Sequence, residues 1–358
     1  MQYVSGQMLT PEGFRPGHVG YEDGIVLEVG EGLVETAEAE GLIVPTFINA
    51  HTHLADLKVP IDLDLPLEEA VAPPNGLKYR YLAEAPDDEI RSSFSTLSRK
   101  MAKNGTSRFI DFREGGVKGA KLLKGIGKGG GAKPFIMGRP KDRVFDKEEM
   151  TKLLDTVHGV GVSSITDWPY EELEALADFV RSHGMPFALH ASERIREDID
   201  KVLDLKPSFL VHMTKATRDD MDACRDADVP VVVCPRSNLF FGSIPPLKEM
   251  VESGLKLALG TDNAMTTLPD MMTEMEFAAR ILRSQGGRSM RPILDMALLG
   301  GRLILNEVDS IGIAPGSPCE FMVLRSYEGD PVTNITLRSG ERDVRFVCLG
   351  KYTWRGWR

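Results

Sequence analysis

The sequence predicts an α/β protein: a (β/α)8, TIM-like barrel with a small composite β-sandwich built jointly by the two ends of the chain. Three observations carry this. Eight short apolar runs alternate with amphipathic helical stretches, the pattern of a parallel sheet. Those runs are continuously apolar, as strands covered on both faces are. The two ends of the chain read differently, as short strands broken by turns. The expected boundaries are 1–45 and 306–358 for the two halves of the sandwich and 46–305 for the barrel.

In the first 45 residues Gly6, Gly13, Gly17, Gly20, Gly24 and Gly30 punctuate a segment whose strand formers include Val19, Ile25, Val26, Leu27 and Val29. The texture changes near Leu42. The eight apolar runs are Leu42–Ile48, Ser107–Phe112, Pro134–Gly138, Val160–Ile165, Pro186–Leu189, Phe209–Val211, Val229–Val233 and Leu255–Leu259. Between them Asp88–Lys103, Lys147–Thr156, Tyr170–His183 and Thr217–Asp226 have helical patterning. Eight units favour a closed barrel over an open sheet, and a barrel of roughly 250 residues fits this chain. Two more helices are expected at Asp270–Arg283 and Pro292–Leu299, and strand texture returns from Gly312 to Val347. Neither terminal segment buries a core alone, so the two are expected to pack together. The connection Ala55–Asp87, rich in proline and acidic residues, is long enough to be a functional cover or a packed surface excursion.

Composition excludes several classes. A net charge of −10 argues against nucleic-acid binding, which needs a basic face. Cys224, Cys234, Cys319 and Cys348 are scattered. They read as buried thiols of a cytoplasmic protein rather than as a disulfide framework. Met1 to Phe14 has no basic region followed by an apolar core, so no signal peptide is expected. No apolar run approaches the roughly 20 residues of a membrane span. The expected partner is therefore a small-molecule substrate, with no nucleic acid and no membrane; a homo-oligomer stays open.

Chemistry concentrates in the histidines. His51-Thr52-His53 follows the first apolar run, and side chains two apart on a strand share a face. The chain has only 7 histidines, and two others, His190 and His212, end the fifth and sixth runs. Asp262 ends the eighth. Imidazoles and a carboxylate converging on the C-terminal rim of a barrel suit one divalent first-row metal, zinc first and iron second. A structural zinc site is usually closed by cysteines, whereas this set leaves room for water. The bland alternative is a set of surface or hydrogen-bonded core histidines. His158 and His183 precede glycines and read as helix ends, His18 as surface, and Met271, Met272 and Met275 as helix packing.

Arg113, Arg139 and Arg236 fall at expected strand ends. They either brace the rim or recognise an anionic group of the substrate. Ser237 and Asn238 either position substrate or shape a turn.

The segment Val44-Pro45-Thr46-Phe47-Ile48-Asn49-Ala50-His51-Thr52-His53-Leu54 resembles the first-strand signature of the amidohydrolase superfamily. The likeness continues, in order, through His190-Ala191-Ser192-Glu193, Val211-His212, Cys234-Pro235-Arg236-Ser237-Asn238, Gly260-Thr261-Asp262 and Ile313-Ala314-Pro315-Gly316. It is similar to the branch holding aromatic-amine and nucleobase deaminases and triazine hydrolases. The resemblance implies that His51, His53, His190 and Asp262 bind metal. It implies further that Glu193 shuttles protons, that His212 faces the developing oxyanion or the attacking water, and that Asp262 doubles as a base. There are departures. Thr46 stands where the family usually has glycine. The run Val160–Ile165 lacks the lysine that bridges two metals in binuclear relatives, which favours one metal; Lys133 precedes its own run. The implied reaction is hydrolytic deamination of a cyclic amidine, a purine, pyrimidine or related amino-heterocycle. The alternatives are hydrolysis of a C–N amide or cyclic-amide bond, as in an imidazolone or hydantoin-like ring, and a non-catalytic metal-binding barrel.

Overall fold

The computed structural model describes residues 1–307 and 313–356. Gly312, the expected start of the second β segment, and the last two residues of the chain lie outside them. Among the described residues the strands form two sheets.

The first sheet has seven strands. From the N-terminal end come β1 (Gln2–Thr10), β2 (Gly13–Glu22), β3 (Ile25–Glu31) and β4 (Glu40–Pro45). From the C-terminal end come β14 (Glu320–Leu324), β15 (Val344–Leu349) and β16 (Tyr352–Arg355). Their order is β16-β15-β14-β4-β1-β2-β3, so the ends of the chain meet where β14 pairs antiparallel with β4. Val4, Val19, Tyr21 and Ile43 pack with Phe321, Val323 and Phe346 in one small core to which both ends contribute.

The second sheet is parallel and curled. Its strands are β5 (Phe47–His53), β6 (Thr106–Arg113), β7 (Lys133–Gly138), β8 (Gly159–Val162), β9 (Phe187–Ala191), β10 (Phe209–His212), β11 (Val231–Val233), β12 (Leu257–Leu259) and the two-residue β13 (Asp262–Asn263). Each of β5 to β11 pairs with the next, and β13 pairs with β5. The stretch 257–263 therefore changes neighbours. The Gly260 amide donates to Val233 at 3.0 Å, and the Thr261 amide donates to His51 at 3.0 Å. Inside the curl a thin layer of Ala50, Ile110, Phe112, Ala188, Phe209 and Val232 forms one apolar cluster. The larger cluster fills the space between sheet and helices. No helix of the described residues is long and apolar enough to cross a membrane.

Most expected elements are present within a few residues. Thr217 and Asp270, read as helical, are the caps of their helices, each side chain accepting a backbone N–H of the first turn. Three expectations are corrected. The run Leu42–Ile48 is two strands, β4 and β5, with Thr46 between them in different sheets. Apolar periodicity cannot show that a buried strand changes sheets. The C-terminal segment, expected to be all strand, holds a helix at Pro331–Arg338, started by an Asp330 cap and a proline in the first turn. The helix expected at Pro292–Leu299 begins at Arg291 and runs on through a π turn to Ile304.

The joint at Thr46 has a buried partner. Arg302 is fully enclosed. Its Nη1 donates to the carbonyls of Thr46 (2.8 Å) and Leu298 (2.7 Å), and its Nη2 reaches the Thr46 hydroxyl at 3.4 Å. Burial pulls the guanidinium down to about 10. A glycine at position 46 would offer the carbonyl but not the hydroxyl. Replacing Arg302 with methionine leaves both carbonyls short of a donor. Arg302→Met is expected to lower unfolding free energy by about 2–4 kcal/mol, at 1–3 for each unmet group offset by apolar burial. Urea titration checks this, and a change under about 0.5 kcal/mol would reject the joint as a stabilising element.

Candidate metal centre

β5 carries both His51 and His53, buried in the sheet. Between them Thr52 turns away, and its hydroxyl donates to Asp111 Oδ2 at 2.9 Å. The Leu54 amide donates to the same oxygen at 2.8 Å. Burial raises the Asp111 carboxyl to about 6, against the pull of Arg113 and these bonds. The β5–β6 register shifts between Asn49 and Thr52. Such an irregularity re-aims side chains at a strand end.

His190 comes from β9 and Asp262 from β13. The four side chains each offer one ligand atom, all within 4.8 Å of one another. Nε2 of His51 lies 3.3 Å from Asp262 Oδ1, and Nε2 of His53 lies 3.6 Å from it. Nδ1 of His190 is 2.8 Å from the Val162 carbonyl, so Nδ1 carries the proton and Nε2 keeps its lone pair. Both ring nitrogens of His51 are buried without a hydrogen bond. Unsatisfied polar atoms this deep are costly, and a metal ion bound at Nε2, the nitrogen beside Asp262, would satisfy one of them. Burial lowers the His51 imidazole to about 3 and moves His53 and His190 in the same direction. Neutral imidazole is the form that binds metal. Burial alone would raise Asp262, but the contact with His51 and the nearby His212 and His53 pull its carboxyl well below the usual range. The donor set fits a divalent ion.

A second trio overlaps the first. Glu193, His212 and Asp262 also bring ligand atoms within 4.8 Å, with Glu193 Oε1 3.5 Å from His212 Nε2. Asn238 Nδ2 lies 3.2 Å from His212 Nδ1. The amide donates there, so His212 presents Nε2–H to the site. Burial raises the Glu193 carboxyl, with His212 opposing. The bland reading of Glu193 as a helix-end charge has no helix to act on, since the next one starts at Ile199.

The backbone is strained in this region. Ser192 (φ 47°), His212 (φ 78°) and Asp262 (φ 59°) occupy left-handed conformations that side chains rarely adopt. Such outliers cluster where function demands a particular direction.

The remaining expected residues divide. Ser237 Oγ donates to Asp262 Oδ2 at 2.5 Å and Asn238 holds His212, so both position site residues. Arg113 and Arg236 do not reach the cavity above the cluster. Arg113 donates to the Gly119 carbonyl and to Glu114 and lies over Phe94. Arg236 is tied to the buried Glu274 and to the Leu268 carbonyl. Both are braces, because a guanidinium beside a buried carboxylate gains more from that pair than from open solvent. Arg139 does line the cavity, together with His53, His190, Glu193 and His212. Its Nη1 donates to Tyr79 at 2.5 Å and its Nε to the Gly161 carbonyl at 3.3 Å, while Nη2 is buried without a partner.

Two wall residues, Lys78 and Arg194, and Glu114 behind the wall were not anticipated. Glu114 follows β6 directly, a position at the strand's C-terminal end that could have been flagged. Lys78 comes from the connection between β5 and β6, and Arg194 joins Glu68 of that connection (2.8 Å) to Asp167 (2.9 Å). Nothing local to Lys78 or Arg194 marks them.

A curled parallel sheet that gathers three histidines and an aspartate at its C-terminal edge defines a metal-dependent hydrolase. The amidohydrolase family model matches residues 42–349, and the chain belongs to that family, whose members act on carbon–nitrogen bonds. It is 32% identical to a putative aminohydrolase of Archaeoglobus fulgidus, over 98% of this chain and 97% of that one. It is 26% identical to the 5-methylthioadenosine/S-adenosylhomocysteine deaminase of Halobacterium salinarum, over 94% and 88%. Its fold is similar to that of a zinc-bound adenosine deaminase from Xanthomonas campestris, with a TM-score of 0.83, 18% identity and coverage of 99% and 93%.

Gly260 marks the tightest approach at the centre. A Cβ there would lie 2.7 Å from His51 Cβ and 2.8 Å from its backbone nitrogen. Gly260→Ala must therefore push β5 and its histidines. It is expected to cost about 1–3 kcal/mol of stability and to weaken metal retention. Denaturation of the metal-free protein and a zinc titration check both, and normal values for both would show that the strand yields without displacing His51.

Proposed function

We propose that this protein hydrolytically deaminates an amino-heterocycle at a cyclic-amidine carbon, using one divalent metal, zinc ahead of iron, held by His51, His53, His190 and Asp262. The observation that carries the reading is the pairing of Glu193 with His212 beside that donor set, 3.5 Å apart and sharing Asp262 as neighbour. In this reading the nine-stranded sheet is the (β/α)8 barrel, spanning 46–305, and segments 1–45 and 306–358 make its composite β-sandwich. The names of the relatives and structural neighbours support the reaction class.

Deamination of this kind adds water to a ring carbon, protonates a ring nitrogen and releases ammonia. A divalent ion in the site supplies a water of pKa near 7. The side chains of the chain manage the protons. Asp262, kept ionised, accepts one. Glu193, whose carboxyl burial raises, gives a proton to the ring nitrogen and takes back the remaining proton of the added water as the carbonyl forms, while the proton on Asp262 leaves with the amine as ammonia. His212 directs Nε2–H at the oxygen that develops negative charge. No lysine lies on β8, which supports a single ion. Arg139, with its unpaired Nη2 in the wall, is the residue left to receive an anionic group of the substrate remote from the reacting carbon, and binding that group would orient the ring.

The purified protein is expected to carry about one equivalent of zinc or iron and to release ammonia from amino-heterocycles. Hydrolysis of cyclic amides without ammonia would replace deamination by ring opening, and no turnover with metal bound would leave a binding protein. Glu193→Gln is expected to keep the metal and lose roughly 10²–10⁴-fold in turnover. Loss of the metal would make Glu193 a ligand or its support, and unchanged turnover would remove it from the reaction.

Arg139→Met is expected to weaken an anionic substrate roughly 10–100-fold, the worth of one charge-assisted hydrogen bond, while sparing neutral analogues of the same ring. Comparing KM for the two kinds of substrate decides this; equal losses would make Arg139 a brace like its two counterparts.

A further inference from the structure

The first connection of the sheet carries a buried lysine to the metal centre. Lys78 lies on the helix Leu77–Glu84 of that connection and is 2% exposed. Its ammonium is 2.7 Å from Glu114 Oε1, 3.4 Å from Asp56 Oδ2, and donates to Asn263 Oδ1 at 3.1 Å. One hydrogen bond and two ion-pair contacts thus surround the ammonium with acceptors. The cluster leads toward the metal donors along two lines.

The first line runs through Glu114. Its Oε1 lies 2.8 Å from His53 Nδ1. Two lone pairs would repel at that distance, so Nδ1 carries the proton and Nε2 faces Asp262 with its lone pair free. Arg113 donates to the other oxygen of Glu114 at 3.2 Å, so the carboxylate is clamped between two cations. The second line runs through Asn263. With its carbonyl oxygen taken by Lys78, its amide nitrogen donates to Asp262 Oδ2 at 2.9 Å. The amide cannot be turned over without losing both contacts. Asp56 fastens the other side, accepting from the Met265 amide at 3.1 Å just beyond Asp262.

We infer that Lys78 is a positioning residue for the metal centre: through Glu114 it fixes the ring state and orientation of His53, and through Asn263 it fixes the carboxylate of Asp262. The inference rests on the ligand set proposed above. It makes the connection between β5 and β6 part of the centre, because the site is incomplete until Lys78 is seated. It also gives Arg113 its use, as the second clamp on Glu114.

The test is zinc affinity of the full-length protein, stripped with a chelator and titrated in competition with a chromophoric chelator, together with the visible absorption spectrum of the cobalt-substituted form. Lys78→Met and Glu114→Gln are each expected to weaken zinc by roughly 10–100-fold, the usual effect of removing a partner behind a metal-binding histidine, and to change the cobalt spectrum. Asn263→Ala, which buries no unpaired charge and keeps the protein testable if Lys78→Met does not fold, is expected to weaken zinc less. Added to Lys78→Met it should cost little more, since both cut the same line to Asp262. If the parent binds zinc tightly and the folded variants bind it within twofold, with an unaltered cobalt spectrum, the positioning role is wrong while the ligand set stands. If the parent itself binds no zinc or cobalt, the ligand set falls first.

Discussion

The cost of keeping histidines and carboxylates dry governs the centre of this molecule. His51, His53, His190, His212 and Asp262 are all buried, where an unpaired polar atom is expensive. The surrounding chain is arranged to meet that cost. The Val162 carbonyl backs His190, Asn238 backs His212, and Ser237 and Asn263 hold Asp262. What stays unmatched is informative: both nitrogens of His51 have no hydrogen bond. One of them, Nε2, lies beside Asp262, where an ion would be held.

The curled parallel sheet is what makes such an arrangement rigid. His51, His53, His190 and His212 lie at the C-terminal ends of strands that pair on both sides, and such ends cannot relax independently. This lets the chain keep Ser192, His212 and Asp262 in left-handed conformations, each of which costs about 1–3 kcal/mol. Asp262 illustrates the mechanism. The chain leaves β12 at Gly260, crosses close to His51, and rejoins the sheet beside β5. Only a residue without a side chain passes that crossing, and the crossing is what carries the carboxylate to the histidines.

The terminal sheet depends on the same frame. Its middle strand, β4, runs into β5 through Thr46, and Arg302 fills the joint from the helical stretch that ends at Ile304. A tether between the two sheets thus sits one strand's length from the metal donors. The seven-stranded sheet in turn brings the two ends of the chain together through β4 and β14, which local sequence could suggest only as a compositional likeness between the ends.

Much of this was legible beforehand, because it rests on local chemistry. Alternation of apolar runs with amphipathic stretches set the α/β order, since buried parallel strands have no polar face to show. His51, His53, His190, His212 and Asp262 could be singled out because each follows or ends such a run, and Glu193 through the family resemblance of His190-Ala191-Ser192-Glu193. Other features depended on distant parts of the chain. The division of Leu42–Ile48 into two strands is a matter of which neighbours accept its hydrogen bonds. Arg113, Arg139 and Arg236 hold equivalent positions at strand ends, and only the carboxylates at Glu114 and Glu274 and the empty space beside Arg139 separate the braces from the candidate contact. Lys78 is the clearest case. In sequence it is one lysine in a polar connection; in space it is a buried ammonium among Glu114, Asp56 and Asn263. The sequence by itself determined which groups could bind a metal, because that is a property of side chains at strand ends. The tertiary structure decided which charges are buried and paired, because desolvation and Coulomb attraction depend on neighbours that the order of residues does not place together.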